Sequence, residues 1–167
     1  MFSIVVAVSN NNGIGYKGTI PWKNKEDMTF FKNLTSKTED INKINAIIMG
    51  RITFESIREK PLKNRDNFVI SRKKYNNVES FTTLDDCLNN LINKNKYENI
   101  FVIGGQTLYN EAIQHPLCNK IFLNKINTNE LCDVFFNYDE SIFKNINEEK
   151  ISDSVTSYIL QKIIETN

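Results

Sequence analysis

The chain has 167 residues, of which 40% are hydrophobic and 25% charged, a balance typical of one soluble globular domain with a single core. Its 21 basic and 20 acidic side chains leave a formal net charge of +1 without a basic stripe, so we expect no nucleic-acid partner. Three widely spaced cysteines and a single histidine, His115, argue against a zinc or iron–sulfur site. We therefore expect one domain, 1–167, without a metal.

The first apolar run, residues 2–8, lacks a basic lead and is too short for a signal peptide or a membrane span. We interpret it as a buried strand. Cys87, Cys118 and Cys132 contain no CxxC pair, and free thiols fit a reducing cytosol. The sequence therefore predicts a cytoplasmic protein with no membrane partner.

Short apolar runs rich in β-branched residues alternate with helical patterns along the chain. Each run is bounded by polar or glycine residues, which is typical of strands covered on both faces. The predicted strands are 4–8, 46–49, 68–70, 100–103 and 121–123, and the predicted helices are 26–34, 53–57, 84–92 and 107–113. This order predicts an α/β domain with a central, mainly parallel twisted sheet flanked by helices. The strand-like tail, 155–164, predicts an antiparallel C-terminal edge.

Two predicted strands end in glycine directly before a helix. Gly50 precedes Arg51, and Gly104 and Gly105 precede Gln106. Backbone amides at such a helix start can face an anion, and ligands of open parallel sheets bind at this edge. Two such ends on neighbouring strands indicate a ligand with a pyrophosphate.

Residues 13–18 match GxGxxG directly after the first strand, the pattern of a Rossmann dinucleotide site. Pro21 breaks any helix that this motif would open, and four polar residues, 9–12, make the turn too loose. We therefore reject the Rossmann interpretation. What remains is a long glycine-rich loop, which either covers a ligand and moves or is an ordinary surface loop; Trp22 at its end favours the first.

Asp27 lies on the apolar side of the first predicted helix. It precedes Phe30, Phe31 and Leu34 by three, four and seven residues, whereas Glu26 falls on the solvated side. A carboxylate turned toward apolar surroundings has a raised pKa, which suits an acid that holds or relays a proton near neutral pH. The alternative is an aspartate that only complements the helix dipole.

Together these residues resemble the dihydrofolate reductase family over residues 4 to about 136. The match consists of Val6-Ala7, Gly13-Ile14-Gly15, Pro21-Trp22, Asp27, Phe31, Ile48-Met49-Gly50-Arg51, Thr53-Phe54, Ser56-Ile57, Pro61-Leu62, Arg65, Ser71-Arg72, Ile103-Gly104-Gly105 and Tyr109. The resemblance implies that fold, together with NADPH-dependent reduction of 7,8-dihydrofolate to tetrahydrofolate.

The resemblance also implies the roles of individual residues at the substrate. Asp27 would hydrogen-bond N3 and the 2-amino group of the pterin and promote protonation at N5, through water held near Trp22. Arg65 would pair with the α-carboxylate of the substrate glutamate, which its planar fork suits. The implied substrate-binding residues are Val5, Val6, Met28, Phe31, Ser56, Ile57, Leu62, Arg65, Ile103, Tyr109 and Asn124.

For the cofactor, the resemblance implies NADPH, with Arg51 and Arg72 at the adenosine 2′-phosphate. Gly104 and Gly105 match a cis Gly-Gly step at the pyrophosphate, and Tyr109 would lie beside the nicotinamide. The implied cofactor-binding residues are Ala7, Ile14, Gly15, Gly18, Thr19, Gly50, Arg51, Ile52, Thr53, Ser71, Arg72, Gly104, Gly105, Gln106, Thr107, Leu108 and Tyr109.

The chain departs from the family pattern in a few places. Asn124 stands where the family usually has a threonine that hydrogen-bonds the catalytic carboxylate, and an amide can both donate and accept. Asp133 resembles an acid that holds the glycine-rich loop through its backbone; the alternative is a solvated turn residue. The connection 35–44 is charged and asparagine-rich, so we expect an exposed loop there.

Three alternatives stay open from the sequence. The first is a riboflavin-pathway reductase of the same fold, against which Asp27 and Arg65 argue. The second is an inactive nucleotide-binding module that retains the fold. The third is that the chain is one half of a fused reductase–synthase. Otherwise we expect a monomer.

Overall fold

A computed structural model describes residues 1–163, which form ten strands and four helices. The strands are β1 (Phe2–Val8), β2 (Gly13–Gly15), β3 (Ile44–Gly50), β4 (Asp66–Ile70), β5 (Glu79–Phe81), β6 (Tyr97–Val102), β7 (Cys118–Ile126), β8 (Val134–Phe135), β9 (Phe143–Lys150) and β10 (Val155–Lys162). The helices are α1 (Lys25–Ser36), α2 (Arg51–Ser56), α3 (Leu84–Ile92) and α4 (Gln106–Ile113). No helix in this described part is long and apolar enough to cross a membrane.

Eight strands form one sheet in the order β5-β4-β3-β6-β1-β7-β10-β9. The first six pair in parallel, whereas β10 runs antiparallel to both β7 and β9. The predicted fold class is therefore confirmed, including the antiparallel C-terminal edge. The tail strand is shorter than predicted, and residue 164 of that prediction lies outside the described residues.

Side-chain alternation along the parallel strands divides the core between the two faces of the sheet. On β1, Ile4 and Val6 pack on the face that carries α3 and α4, whereas Val5 packs on the opposite face with Phe54 of α2. Phe31 of α1 covers the same side as Val5. Both faces bury apolar area, which explains why these strands read as continuous apolar runs.

Polar side chains fix both ends of α1. Asn24 accepts a hydrogen bond from the amide of Asp27 (2.9 Å) at the start. At the end, the buried Asn45 of β3 donates to the carbonyls of Thr35 (3.0 Å) and Lys37 (2.9 Å). The helix therefore extends past Leu34, and the predicted loop 35–44 is wrong at its first residues because Thr35 is helical and buried.

The sequence prediction missed several strands because their sequences contain no clear apolar run. Within the predicted glycine-rich loop, β2 pairs with β8 in a separate two-stranded sheet, through contacts with residues about 120 positions away. The outer strand β9 is exposed after Phe143, so it shows no apolar run. At the start of α3, Oγ1 of Thr83 accepts a hydrogen bond from the amide of Asp86 (3.1 Å) and so caps the helix.

Candidate active site

The carboxyl ends of β1, β3 and β6 lie together at one edge of the sheet. The chain leaves β1 toward β3 through α1, and leaves β6 toward β7 through α4, so these two connections diverge on opposite faces of the sheet. In open parallel sheets, ligands bind at such a divergence point. Of the predicted positions, Ala7, Gly50 and Ile103 lie at this edge, whereas Arg65 directly precedes β4 and so lies at the amino end of that strand.

Asp27 lies in the first turn of α1 and is half-buried. Burial raises the pKa of its carboxyl group, and a hydrogen bond from Asn124 partly opposes that shift. Phe31 and Leu34 lie on the same side and join the apolar cluster there. The prediction for Phe30 is wrong: it lines an open surface groove with Ile151, because consecutive residues of a helix point about 100° apart and Phe31 is the one that faces the sheet.

Asn124 of β7 connects the sheet to this carboxylate. Its Nδ2 donates to Oδ1 of Asp27 at 2.9 Å, and the residue is only 4% exposed. Asn124 is in register with Ala7 of β1 and Ser157 of β10, so the three side chains share the face that α1 covers. The link to the carboxylate, which the change from threonine left open, is therefore present.

Five of the predicted substrate-binding residues join one apolar cluster on the side of the sheet that α1 covers. Its members from that prediction are Val5, Phe31, Ile57, Leu62 and Ile103. Two other residues predicted to bind the substrate lie outside this cluster. Met28 is 56% exposed, and the side chain of Val6 packs in the core on the opposite face because neighbouring residues of a strand alternate.

Arg65 is held in place on the same side of the sheet. Its Nη1 donates to Oγ1 of Thr35 (3.0 Å), and its Nε donates to the carbonyl of Lys63 (2.8 Å). Burial lowers the pKa of its guanidinium group. Sequence reasoning missed Thr35, because a threonine near the end of a helix has no pattern that identifies a distant arginine as its partner.

Gly50, Gly104 and Gly105 come together at the neighbouring strand ends. The Gly104–Gly105 peptide is cis, and the amide of Gly50 donates to the carbonyl of Gly104 at 2.8 Å. Gly105 caps α4 without a side chain, so no side chain of the cap residue occupies the amides at the start of that helix. The hydroxyl of Tyr109 lies 2.7 Å from the carbonyl of Val5 and joins this edge to β1.

The residues predicted for the cofactor differ in exposure. Nη1 of Arg51 pairs with Glu55 at 2.8 Å on the surface, Arg72 is exposed, and Ile52 is 62% exposed. Leu108 is buried in the core under α4, so its side chain faces away from the solvent-exposed edge. The other members lie on strands or helices or directly after a strand: Ala7 in β1, Ile14 in β2, Thr53 in α2, Ser71 after β4, and Gln106 and Thr107 in the first turn of α4.

The glycine-rich loop is tied to the segment before β8. Oδ2 of Asp133 accepts from the amide of Lys17 (3.0 Å), and the amide of Asp133 donates to the carbonyl of Gly15 (2.9 Å). The loop turns at residues 16–19, where Gly18 and Thr19 are exposed. Trp22 follows this turn and is half-buried. The contact expected for Asp133 is therefore present.

Within residues 1–163 there is no cluster of three or more histidine, cysteine, aspartate or glutamate side chains suited to a metal ion. The fold and the grouped side chains define an α/β protein with a half-buried acid on the side of the sheet that carries an apolar cluster, beside a glycine-lined edge. The family model for dihydrofolate reductase matches residues 1–165. The chain therefore belongs to the dihydrofolate reductase family, a family of oxidoreductases, and this match decides against the riboflavin-pathway alternative.

Curated relatives agree with this family. A dihydrofolate reductase of Heliothis virescens is 37% identical over 163 residues, covering 89% of this chain and 86% of the relative. One from Schistosoma mansoni is 40% identical over 144 residues, covering 80% of this chain and 76% of the relative. A bifunctional dihydrofolate reductase-thymidylate synthase of Paramecium tetraurelia is 35% identical over 172 residues, covering 99% of this chain but 35% of that protein.

Proposed function

We propose that the protein reduces 7,8-dihydrofolate to tetrahydrofolate with NADPH, by hydride transfer from nicotinamide C4 to pterin C6 and protonation at N5. The observation that carries the proposal is the half-buried carboxylate of Asp27, held by Asn124 and placed on the side of the sheet that carries the apolar cluster. A single acid in apolar surroundings is suited to a heterocycle that needs an anionic partner and a proton.

In this proposal Asp27 pairs with N3 and the 2-amino group of the pterin. The raised pKa of its carboxyl group supports a role in holding a proton near the substrate close to neutral pH. Water beside the half-buried Trp22 would pass the proton to N5. The walls formed by Val5, Phe31 and Ile103 would position the ring and exclude other water.

Arg65 is proposed to bind the α-carboxylate of the substrate glutamate. Two of its five N–H donors are used on Thr35 and Lys63, which leaves three for a ligand in a fixed orientation. A guanidinium group that is already oriented loses less freedom when it forms a two-point contact with a carboxylate.

The residues at the glycine-lined edge fit NADPH, which would supply the hydride when bound. The amides at the start of α4 follow Gly105 and have no capping side chain, which suits a pyrophosphate. Arg51 and Arg72 are exposed cations for the 2′-phosphate, which is our reason for proposing NADPH rather than NADH. Arg51 would have to exchange its surface contact with Glu55, and exposed ion pairs are weak enough to exchange.

We also propose that residues 1–167 act as one domain and as a cytosolic monomer. The three cysteines are free thiols, as expected in a reducing compartment. Bifunctional relatives such as that of Paramecium tetraurelia make a fused reductase–synthase the other arrangement. Light scattering on the purified chain measures whether it is monomeric.

The test is NADPH oxidation, followed by absorbance with and without dihydrofolate. We expect dihydrofolate-dependent turnover in the wild type and a loss of about 100-fold or more in Asp27→Asn at neutral pH. Glu26→Gln is the matched control, because it neutralises the adjacent exposed carboxylate of the same helix. A wild type without turnover, or an Asp27→Asn variant with undiminished turnover, contradicts the proposal.

A further inference from the structure

The turn between β9 and β10 contacts the start of α1 through Ser154. Its Oγ accepts a hydrogen bond from Nδ2 of Asn24 at 3.0 Å and donates its own hydrogen to Oε2 of Glu26 at 3.0 Å. A serine hydroxyl has one hydrogen to give, and an ionised carboxylate only accepts. The chemistry of the three groups therefore fixes the direction of both bonds, and Ser154 is the acceptor toward Asn24.

This contact orients the side chain that caps α1. Because Nδ2 of Asn24 is directed to Ser154, its Oδ1 is turned to the amide of Asp27, from which it accepts a hydrogen bond at 2.9 Å. If the amide of Asn24 were rotated by half a turn, an N–H group would face the N–H of Asp27 and the cap would be lost. Ser154 therefore selects the orientation of Asn24 that holds the backbone of Asp27.

Asp27 is thereby held at two points that lead back to one pair of strands. Its amide is held by Asn24 and, through Asn24, by Ser154, which directly precedes β10. Its carboxylate accepts from Asn124 of β7. The two strands pair antiparallel, and the carbonyl of Ser154 accepts from the amide of Asn127, directly after β7, at 2.8 Å. The backbone and the carboxylate of the acid are therefore both fixed relative to the β7–β10 ladder.

We propose that Ser154 is a positioning residue for the reaction, which acts through Asn24 to set where the carboxylate of Asp27 lies relative to the bound pterin. This inference rests on the proposed function. A misplacement of about 1 Å in a reacting group can cost a factor of about 100 in rate. The loss of one hydrogen bond behind the acid is a smaller disturbance, so we expect a smaller effect on the rate.

The rate to measure is hydride transfer in a single turnover, followed by NADPH absorbance with both ligands saturating, because product release does not contribute to it. We expect Ser154→Ala to slow this step about three- to ten-fold, which corresponds to one lost hydrogen bond. Ser154→Thr should stay near the wild-type rate because it keeps the hydroxyl. Thr156→Val is the matched control, since within residues 1–163 this half-buried hydroxyl of β10 has no hydrogen bond to α1.

Two further variants separate positioning from general support of the fold. Asn24→Ser keeps a cap for the amide of Asp27 but has too short a side chain to reach Ser154, so we expect the same loss as in Ser154→Ala. In an Asp27→Asn background, Ser154→Ala should cause no further loss, because the carboxylate that it positions is gone. A residue that supports only the fold would slow hydride transfer by the same factor in both backgrounds.

An undiminished hydride-transfer rate in folded Ser154→Ala overturns the inference, and so does an equal loss in the Asp27→Asn background. A Thr156→Val control as slow as Ser154→Ala also overturns it, because any change in β10 would then have the same effect. Failure of the proposed function is distinguishable. In that case the wild type itself does not oxidise NADPH with dihydrofolate, and the inference falls with it.

Discussion

The hydroxyl of Thr35 accepts a hydrogen bond from Nη1 of Arg65 at 3.0 Å and donates its own hydrogen to the carbonyl of Phe31 at 2.7 Å. Because Thr35 is fully buried, the position of this hydroxyl is set by the helix. Asn45, also buried, holds the carbonyl of Thr35 at 3.0 Å. The orientation of Arg65 is therefore determined by the end of α1 and by β3.

Thr35→Val is expected to raise the KM for dihydrofolate about three- to ten-fold, because one lost hydrogen bond leaves the guanidinium group free to rotate. The KM for a reduced pterin without the glutamate tail should stay unchanged, and Thr35→Ser should restore the wild-type value. Steady-state kinetics with both substrates measure this. Equal increases for the two substrates would show that Thr35 supports only the fold.

Asp27→Asn is expected to be more stable than the wild type at neutral pH. Because burial raises the pKa of Asp27, the folded state holds a proton over a pH range in which the unfolded chain has released it. The free energy of unfolding therefore falls as the pH rises from the ordinary aspartate pKa through the raised pKa of folded Asp27. Above that raised pKa the free energy of unfolding stays at its lowered value. The asparagine variant carries no such loss.

Thermal unfolding of both proteins between pH 3 and pH 8 (about one measurement per pH unit) checks this prediction. The difference in Tm between Asp27→Asn and the wild type should be largest at the high-pH end of this range and shrink toward the low-pH end. Glu26→Gln serves as the control for removing one carboxylate from α1. An Asp27→Asn variant that is less stable than the wild type at neutral pH would contradict the argument.

The sheet and the acid could be predicted from sequence because their signals are local. Continuous apolar runs identified five of the parallel strands, and a four-residue spacing correctly placed Asp27 with Phe31. The pairing of β2 with β8 and the contact of Thr35 with Arg65 join distant segments, so no local pattern contains them. The prediction for Phe30 was wrong because Phe30 is next to Phe31 in sequence, and consecutive residues of a helix point about 100° apart.

Asp133→Ala is expected to lower kcat about five-fold, because it removes the acceptor for the amide of Lys17 and loosens the glycine-rich loop. Asp153→Ala is the matched control, since that carboxylate is exposed and pairs only with Lys150 on the surface. Steady-state kinetics measure kcat for both variants, and NADPH titration measures how tightly each binds the cofactor. If both alanine variants behave alike, the contact of Asp133 with the loop has no role in turnover.

Arg72→Ala is expected to reduce the preference for NADPH over NADH about 10- to 100-fold, through the loss of a charged contact with the 2′-phosphate. Glu55→Gln should change the preference in the opposite direction, because it releases Arg51 from its 2.8 Å ion pair. The ratio of kcat/KM for the two cofactors measures both. Lys150→Ala, at the far edge of the sheet, controls for the loss of one positive charge. A ratio that does not respond to Arg72→Ala argues against this phosphate site.

Gly13→Ala is expected to destabilise the protein by about 1–3 kcal/mol through overpacking. A Cβ at this position would overlap Sγ of Cys132, lie 2.5 Å from its Cβ and lie 2.8 Å from Oγ of Ser9. Adding Cys132→Gly removes the first two overlaps, so the double variant should recover part of the lost stability.

Chemical unfolding of the wild type, both single variants and the double variant gives the coupling free energy directly. Turnover should follow stability, because Gly13 pairs with Phe135 in the small sheet that anchors the loop. The Ser9 overlap remains in the double variant, so recovery should be incomplete. Strictly additive effects of the two substitutions would mean that the backbone moves apart at Gly13 and that Cys132 does not limit the space there.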